Sequence, residues 1–357
     1  MDWPFLMLFF FGGLSALLLL GLPVAFAFLF VNVIGVYVFW GGTIGLQQLI
    51  LSIDSSISTF VLVPVPMFIL MGTVIFHSGI AYRMIDVLDE WLGRIAGRLA
   101  LLAIGAGALF GTLTGVAMGS VAMLGSTLVP DMERRGYSKS MSIGPILASG
   151  SLAIMIPPSA LGVILASMGQ FSVGKLLIGI LLPGLLLAVV YATYVVIRCH
   201  IQPHLAPAYE VVPTPIGPRV MRTLQYVLPL VIIIGIVIGT IFAGVATPTE
   251  AAALGALFCF LLVACYGKLT WQVIKKSVAA ATTISVMVFV ILTGSAAFSQ
   301  ILAFTGITVG ITELALAWSE HPILILIAMQ VILLLLGMLI EQTSIVMITT
   351  PIYFPIV

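Results

Sequence analysis

Between Phe5 and Ile340 the chain is a succession of uncharged apolar runs, several about as long as a bilayer is thick, and this alone decides its solvent. A helix needs about 20 apolar residues to cross the hydrocarbon, and segments such as 224–243 and 277–300 supply that without a single Asp, Glu, Lys or Arg. Hydrophobic residues make up 62% of the 357 positions and charged ones 7%. A soluble fold of this size could not build a polar exterior from so few charges. A transmembrane β-barrel needs short alternating segments instead of unbroken runs. The fold class is therefore an all-α polytopic membrane protein.

Thirteen basic residues against twelve acidic ones leave a net charge of +1, which provides no basic field for nucleic acid. Cys199, Cys259 and Cys265 have no paired spacing, arguing against a disulfide framework or a zinc site. The start, Met1-Asp2-Trp3-Pro4, lacks the basic region of a cleavable signal, so the first apolar run is expected to stay in the membrane.

The apolar runs predict helices over 5–21, 23–40, 60–78, 98–115, 120–130, 140–156, 159–170, 176–198, 224–243, 249–266, 277–300 and 322–340. Two stretches are interrupted. Thr114 to Ser120 breaks 98–130, and Ile156-Pro157-Pro158-Ser159 breaks 140–170. Broken backbone at membrane depth survives only where it is buried in protein or lines a cavity, and paired broken segments point to a transporter's binding site.

Topology follows from charge. Lys and Arg occur at 83, 94, 98, 134, 135, 139, 175, 198, 219, 222, 268, 275 and 276, and the positive-inside rule assigns most of these to the cytoplasm. A re-entrant hairpin over 98–130 keeps Arg98 and Arg134 on one side. One crossing by 140–170 and a return by 176–198 bring Arg198, Arg219 and Arg222 there too, leaving Lys175 outside. Counting back through three helices places the N-terminus outside, in the periplasm.

The segment 80–95 carries Ile80, Met84, Val87, Leu88, Trp91 and Ile95 on one helical stripe and most of its charges elsewhere, the pattern of an interfacial arm. The stretch 43–58 resembles a second arm. Residues 199–223, with Pro203, Pro207, Pro213, Pro215 and Pro218, read as a cytoplasmic linker between halves.

The halves repeat: Gly21-Leu22-Pro23-Val24-Ala25-Phe26-Ala27 has a counterpart in Ala246-Thr247-Pro248-Thr249-Glu250-Ala251-Ala252. The hairpin string Gly111-Thr112-Leu113-Thr114 to Val129-Pro130 finds an echo in Gly337-Met338-Leu339-Ile340 to Phe354-Pro355. The domain organisation is thus a first repeat over 1–198, the linker, and a second over 224–357. Within the first lie scaffold helices to 79, the arm 80–95, hairpin plus broken helix 98–170, and a span 176–198. Five crossings in the first repeat invert the second, in accord with the absence of Lys or Arg after Lys276. Since the first repeat continues past Pro130 to a broken helix and a last span, the second is expected to be incomplete, its C-terminal part truncated.

Gly107, Gly111, Gly115 and Gly119 recur every fourth residue, a spacing that lets helices approach closely in lipid. Gly115 and Gly119 also fit a re-entrant tip, where free φ and exposed carbonyls are needed. Carbonyls at such a break, with hydroxyls from Thr114 and Ser120, are hard oxygen ligands suited to Na+. Ser149-Gly150-Ser151 and Pro157-Pro158-Ser159 form a second candidate site, because consecutive prolines remove backbone donors and free carbonyls. At the second tip, Glu341-Gln342-Thr343-Ser344 includes an intramembrane carboxylate, although an N-cap or headgroup-level Glu would also explain it. Glu250 instead completes a capping box, Thr247-Pro248-Thr249-Glu250.

Enzyme chemistry finds little support. His200 and His204 are interrupted by Pro203, His77 and His321 are isolated, and Gly105-Ala106-Gly107 follows no strand. No phosphate-binding loop occurs in the chain.

Read together, Thr114-Gly115, Leu124-Gly125-Ser126-Thr127-Leu128-Val129-Pro130-Asp131-Met132-Glu133-Arg134-Arg135-Gly136-Tyr137, Ile156-Pro157-Pro158-Ser159, Ser172-Val173-Gly174-Lys175-Leu176 and Leu182-Pro183-Gly184 resemble the large membrane subunit of TRAP (tripartite ATP-independent periplasmic) transporters. Thr247 to Ala252 and Thr350-Pro351-Ile352 to Pro355-Ile356 are similar to its second-half motifs, so the resemblance covers the whole chain.

The resemblance implies an elevator-type secondary transporter in a bacterial or archaeal inner membrane, with Na+ as coupling ion and no other cofactor. It also implies a small TRAP membrane subunit and a periplasmic solute-binding receptor as partners, and an organic acid as substrate. Carried over by position, one Na+ site would involve Thr114, Gly115, Gly119, Ser120, Gly150, Pro157 and Ser159, and a second, partial one Glu341, Thr343 and Ser344. Substrate contacts would fall to Thr114, Ser120, Ser159, Glu341 and Thr343. The chain departs from the family's usual tips, since no acidic residue follows Thr114 before Asp131, and Glu341-Gln342 stands where Asp-Thr is common. A stand-alone ion-coupled anion transporter and an intramembrane hydrolase are the competing readings. The hydrolase lacks any nucleophile and base pair in the motifs.

Overall fold

The computed structural model describes residues 3–39, 41–93, 95, 97–114, 117–207, 215–318, 321–338, 342–354 and 356, and among them every regular element is helical. In chain order these are α1 (Trp3–Leu19), α2 (Val24–Phe39), α3 (Thr43–Ile57), α4 (Pro64–His77), α5 (Ile80–Trp91), α6 (Arg98–Thr114), α7 (Ala117–Arg134), α8 (Lys139–Met155) and α9 (Ala160–Met168). There follow α10 (Val173–Ile201), α11 (Ile216–Tyr226), α12 (Leu228–Phe242), α13 (Pro248–Cys265), α14 (Trp271–Phe304), α15 (Ile307–Trp318), α16 (Pro322–Gly337) and α17 (Gln342–Tyr353). Phe60–His77, Val173–Ile201, Ile216–Phe242, Pro248–Cys265 and Trp271–Phe304 are long and apolar enough to cross a bilayer. The α8–α9 pair adds another if it is taken as one bent span.

Local chemistry explains where the helices stop. α1 ends on Gly21, whose φ of +83° lets the Leu22 N–H reach back to the Leu17 carbonyl. Gly136, at φ +80°, closes α7 the same way through the Tyr137 N–H and the Met132 carbonyl. The capping box at the start of α13 is present, with the Glu250 carboxylate accepting from the Thr247 N–H at 2.8 Å and the Thr247 hydroxyl accepting from the Glu250 N–H. α8 stops where the prolines begin. Ile156 turns extended, Pro157 and Pro158 bring no N–H, and α9 restarts at an angle of 51°.

The chain forms two compact units. One comprises Met1–Phe60, Ser167–Gln170 and Ile284–Val357, the other Val61–Ala166 and Phe171–Thr283. These units follow contacts, whereas the repeats proposed from sequence follow motif order, so the two partitions describe different things.

In the first unit Phe10, Phe28 and Phe298 are fully buried, with edge-to-face ring contacts of Phe298 to Phe10 and Phe28 at 6.0 and 5.4 Å. Gly294 makes that contact possible, since a Cβ there would lie 2.7 Å from the Phe28 Cβ. The buried Asn32 amide donates to the Gly294 carbonyl at 2.6 Å, and the Ser295 hydroxyl donates to the Met347 carbonyl. Polar bonds thus join α2 to α14 and α14 to α17 where no water competes.

In the second unit α4 and α14 exchange two bonds, Thr73 Oγ1 to the Ser277 carbonyl at 3.2 Å and Ser277 Oγ to the Thr73 carbonyl at 3.1 Å. The expected arm appears as α5, and its stripe divides: Ile80, Met84 and Val87 are buried against neighbours that include α6, while Trp91 and Ile95 are exposed. Arg98, 3% exposed, pins α5 to α6 by an ion pair to Asp89 at 2.6 Å and bonds to the Asp89 and Gly93 carbonyls. Partial burial holds the Asp86 carboxyl above the usual carboxylate range, against the pull of Arg83.

Two helices lie outside the expected set. Within the predicted linker, 216–226 is helical, because Pro215 and Pro218 fall at the cap and first turn, where no N–H is required. Its partners lie far away in sequence: the Trp91 indole N–H donates to Thr223 Oγ1 at 2.8 Å, Arg222 pairs with Glu90, and the Arg219 guanidinium sits 5.5 Å from the Trp91 ring. The second unexpected helix is α15, in a stretch after residue 300 where the apolar runs predict none.

Candidate functional site

The first hairpin, α6 and α7, packs against the first part of the broken helix, α8, along a seam where glycines meet mostly small side chains. A Cβ on Gly107 would collide with the Ser149 side chain, and one on Gly111 would lie 2.5 Å from the Ala153 Cβ and 2.6 Å from its Cα. From the other side, a Cβ on Gly150 would stand 2.6 Å from Val121 Cγ2 and 3.5 Å from the Ala117 Cβ. Gly107 and Gly111 therefore serve close packing. Gly119 differs, being exposed with nothing within 4 Å of its Cβ position.

This seam brings part of the sequence-predicted set together. Ala117 opens α7 against Gly150, and the fully buried Ser120 donates its hydroxyl proton to the Ala117 carbonyl at 2.9 Å. Next to Gly150 in the chain, buried Ser149 donates to the Ile146 carbonyl at 2.7 Å. A hydroxyl whose proton is committed backwards to its own helix still presents oxygen lone pairs, the ligand type a hard cation takes.

Ser159, also fully buried, accepts from the Gly162 N–H at 3.1 Å and so caps α9. Pro157 and Pro158 face elsewhere, lining a narrow apolar cleft with Leu177, Ile178, Val237 and Ile241. Thr114 ends α6, and Gly115 lies outside the described residues.

At the second tip, Glu341 lies outside the described residues, while α17 begins at Gln342 with Thr343 half-buried and Ser344 buried. α17 packs on α16, and Tyr353 donates its hydroxyl to the Met329 carbonyl at 3.1 Å. Among the described residues no three His, Cys, Asp or Glu cluster as transition-metal ligands would.

Two polar features of the first unit escape the motif reading. Asn32 is the lone amide in an apolar helix, and its Oδ1 is buried without a hydrogen-bond partner among the described residues. That isolation was the signal available in the sequence. A cavity of 480 Å³ is lined by Ser55, Ser56, Thr59, Gln170, Gln300 and Thr350 among others, hydroxyls and amides that suit a polar solute more than a lipid tail. Its residues come from four separate stretches, and no local motif announces it.

A lipid-embedded helical protein with a hairpin seated on a proline-broken helix has the architecture of a secondary transporter. Comparison with known proteins identifies which kind. Residues 11–357 match the family model described as tripartite ATP-independent periplasmic transporter, DctM component, and the chain belongs to that family of large permeases.

It is 31% identical over 363 residues to the C4-dicarboxylate TRAP transporter large permease protein DctM of Rhodobacter capsulatus, covering 97% of this chain and 80% of that protein. It is 30% identical over 344 residues to the ectoine TRAP transporter large permease protein TeaC of Halomonas elongata, covering 95% and 78% respectively. In fold it resembles the YdaH transporter of Alcanivorax borkumensis, with a TM-score of 0.60 at 14% identity over 87% of this chain and 73% of that one.

Proposed function

We propose that this chain is the membrane-embedded permease of a Na+-coupled importer of organic acids that takes its substrate from a periplasmic receptor and works with a small membrane subunit. The carrying observation is the hairpin start at Ala117 to Ser120 seated on Gly150, a few residues before the helix breaks at Ile156 to Ser159. The hydroxyls of Ser120 and Ser159 and the backbone carbonyls near the two helix breaks are hard oxygen ligands, a donor set that favours a monovalent hard cation over a transition metal. Ser120, Gly150 and Ser159, with Gly119 and the Thr114-Gly115 tip, are its assigned surroundings, and the α17 start with Glu341, Thr343 and Ser344 is assigned to a second ion.

The energetics fit ion coupling. Each Na+ entering down the membrane potential contributes about 2.3 kcal/mol per 100 mV, enough for uphill uptake without ATP. Tight glycine packing would let α6, α7 and α8 move as one block, as an elevator mechanism requires. The positive-inside distribution supports a cytoplasmic hairpin mouth and a periplasmic N-terminus in an inner membrane. The names of the relatives, C4-dicarboxylate and ectoine permeases, support a small carboxylate as substrate.

The test is uptake into proteoliposomes holding the full-length permease and its small subunit, using the organic acid loaded on the cognate receptor. Uptake is expected only with receptor and an inward Na+ gradient. Equal uptake with K+ in place of Na+ would overturn the coupling, and equal uptake without receptor would favour a stand-alone transporter.

A further inference from the structure

A groove of 440 Å³ runs between α8 and the C-terminal half of α10, with Ile104 of α6 also in its lining. Its character changes along its length. At one end lie Ser140, in the first turn of α8, and Arg198, in the last turn of α10. From there the lining turns apolar through Pro145, Ala148 and Val190, and the eight helical steps from Ser140 to Ala148 make this stretch about 12 Å long. Gly144 opens the wall, since nothing lies within 4 Å of where its Cβ would be. Arg198 is exposed, and among the described residues no carboxylate lies within ion-pair distance of it.

α10 is 29 residues long, more than the roughly 20 needed to cross the hydrocarbon, so its last turn reaches headgroup level. Tyr194, exposed, and Tyr191, hydrogen-bonded to Ser151 at 3.1 Å, line the groove below it, the placement of interfacial aromatics. An apolar slot opening under an uncompensated guanidinium matches a phospholipid: the slot takes an acyl chain, and the cation takes a phosphate bidentately.

We propose that this groove binds one anionic phospholipid, its headgroup on Arg198 and Ser140 and its acyl chain between α8 and α10. A free phosphate would leave the apolar slot unused. A zwitterionic lipid would fill the slot but bring no net charge to Arg198. The occupant would then lie beside the helix that carries the Gly150 contact, making lipid composition an input to permease stability.

The test titrates the purified full-length chain in detergent with dioleoyl phosphatidylglycerol, dioleoyl phosphatidylcholine or inorganic phosphate, reading thermal stability and lipid retention by native mass spectrometry. Phosphatidylglycerol is expected to stabilise the wild type, phosphatidylcholine less, and phosphate alone not at all. Arg198→Gln should weaken phosphatidylglycerol about fivefold and phosphatidylcholine less, Arg198→Lys should retain most of the binding, and Gly144→Leu should lose both lipids by filling the slot. Because Arg198 is exposed, its variants test the charge even if Gly144→Leu folds poorly. Equal retention of the two lipids by the wild type, unchanged affinity in Arg198→Gln, full binding in a folded Gly144→Leu, or stabilisation by phosphate alone would each overturn the proposal.

Discussion

Replacing Gly111 with Ala should separate the hairpin from the broken helix. The added methyl would lie 2.5 Å from the Ala153 Cβ and 2.6 Å from its Cα, where carbon atoms settle at about 3.5–4.0 Å. The shortfall is roughly 1 Å, and part of it is against backbone, so no side-chain rotation relieves it. α6 and α8 must move apart, and the neighbouring Gly107 and Ser149 contact loosens with them. Overpacking of this kind costs about 1–3 kcal/mol, against a gain of up to ~1 kcal/mol from placing Ala in a helix. Gly119→Ala is the matched control, since it has the same propensity change and open space around the new methyl. Thermal unfolding in detergent should therefore place Gly111→Ala a few degrees below wild type and Gly119→Ala at or above it. Two variants with the same midpoint would refute the argument that the glycine spacing serves close packing at this seam.

Other consequences follow from single contacts. Arg98→Met removes the cation that ties α5 to α6 and leaves Asp89 without its partner; Asp89 keeps some solvent, so a loss of about 2 kcal/mol is expected, below the ~3–5 kcal/mol of a fully buried pair. Chemical denaturation of the purified chain checks it, and an unchanged midpoint would remove Arg98 from the structural account. Ser277→Ala deletes one of the two reciprocal bonds between α4 and α14 and should cost about 0.6–1.7 kcal/mol. Thermal unfolding measures this loss, and a more stable variant would contradict it.

Much of the second unit was legible because its determinants are local. Pro157 and Pro158 cannot donate, so the break of α8 follows from residue chemistry alone, and the Thr247 to Glu250 box likewise announces the start of α13. The helix 216–226 was hidden for the converse reason: its prolines punctuate the sequence like a linker, while the groups that hold it, Glu90 and Trp91, lie more than a hundred residues upstream. The arm was visible as an amphipathic stripe, but periodicity cannot distinguish a face that meets lipid from one that meets protein.

The glycine run shows how one pattern carries two uses. Gly107 and Gly111 face Ser149 and Ala153 of another helix at close range, whereas Gly119 faces open space, and only their neighbours tell them apart. The bond from Asn32 to the Gly294 carbonyl spans most of the chain, and no spacing rule reaches that far.

The most direct measurement is the Na+ dependence of uptake by the full-length permease, reconstituted with its small subunit and receptor, for wild type, Ser120→Ala and Ser159→Ala. Loss of one oxygen ligand from a hard cation is expected to raise the Na+ concentration for half-maximal uptake about tenfold, or ~1.4 kcal/mol, with membrane expression unchanged. Wild-type Na+ activation in both variants would contradict the assignment of the ion to the hairpin and the broken helix.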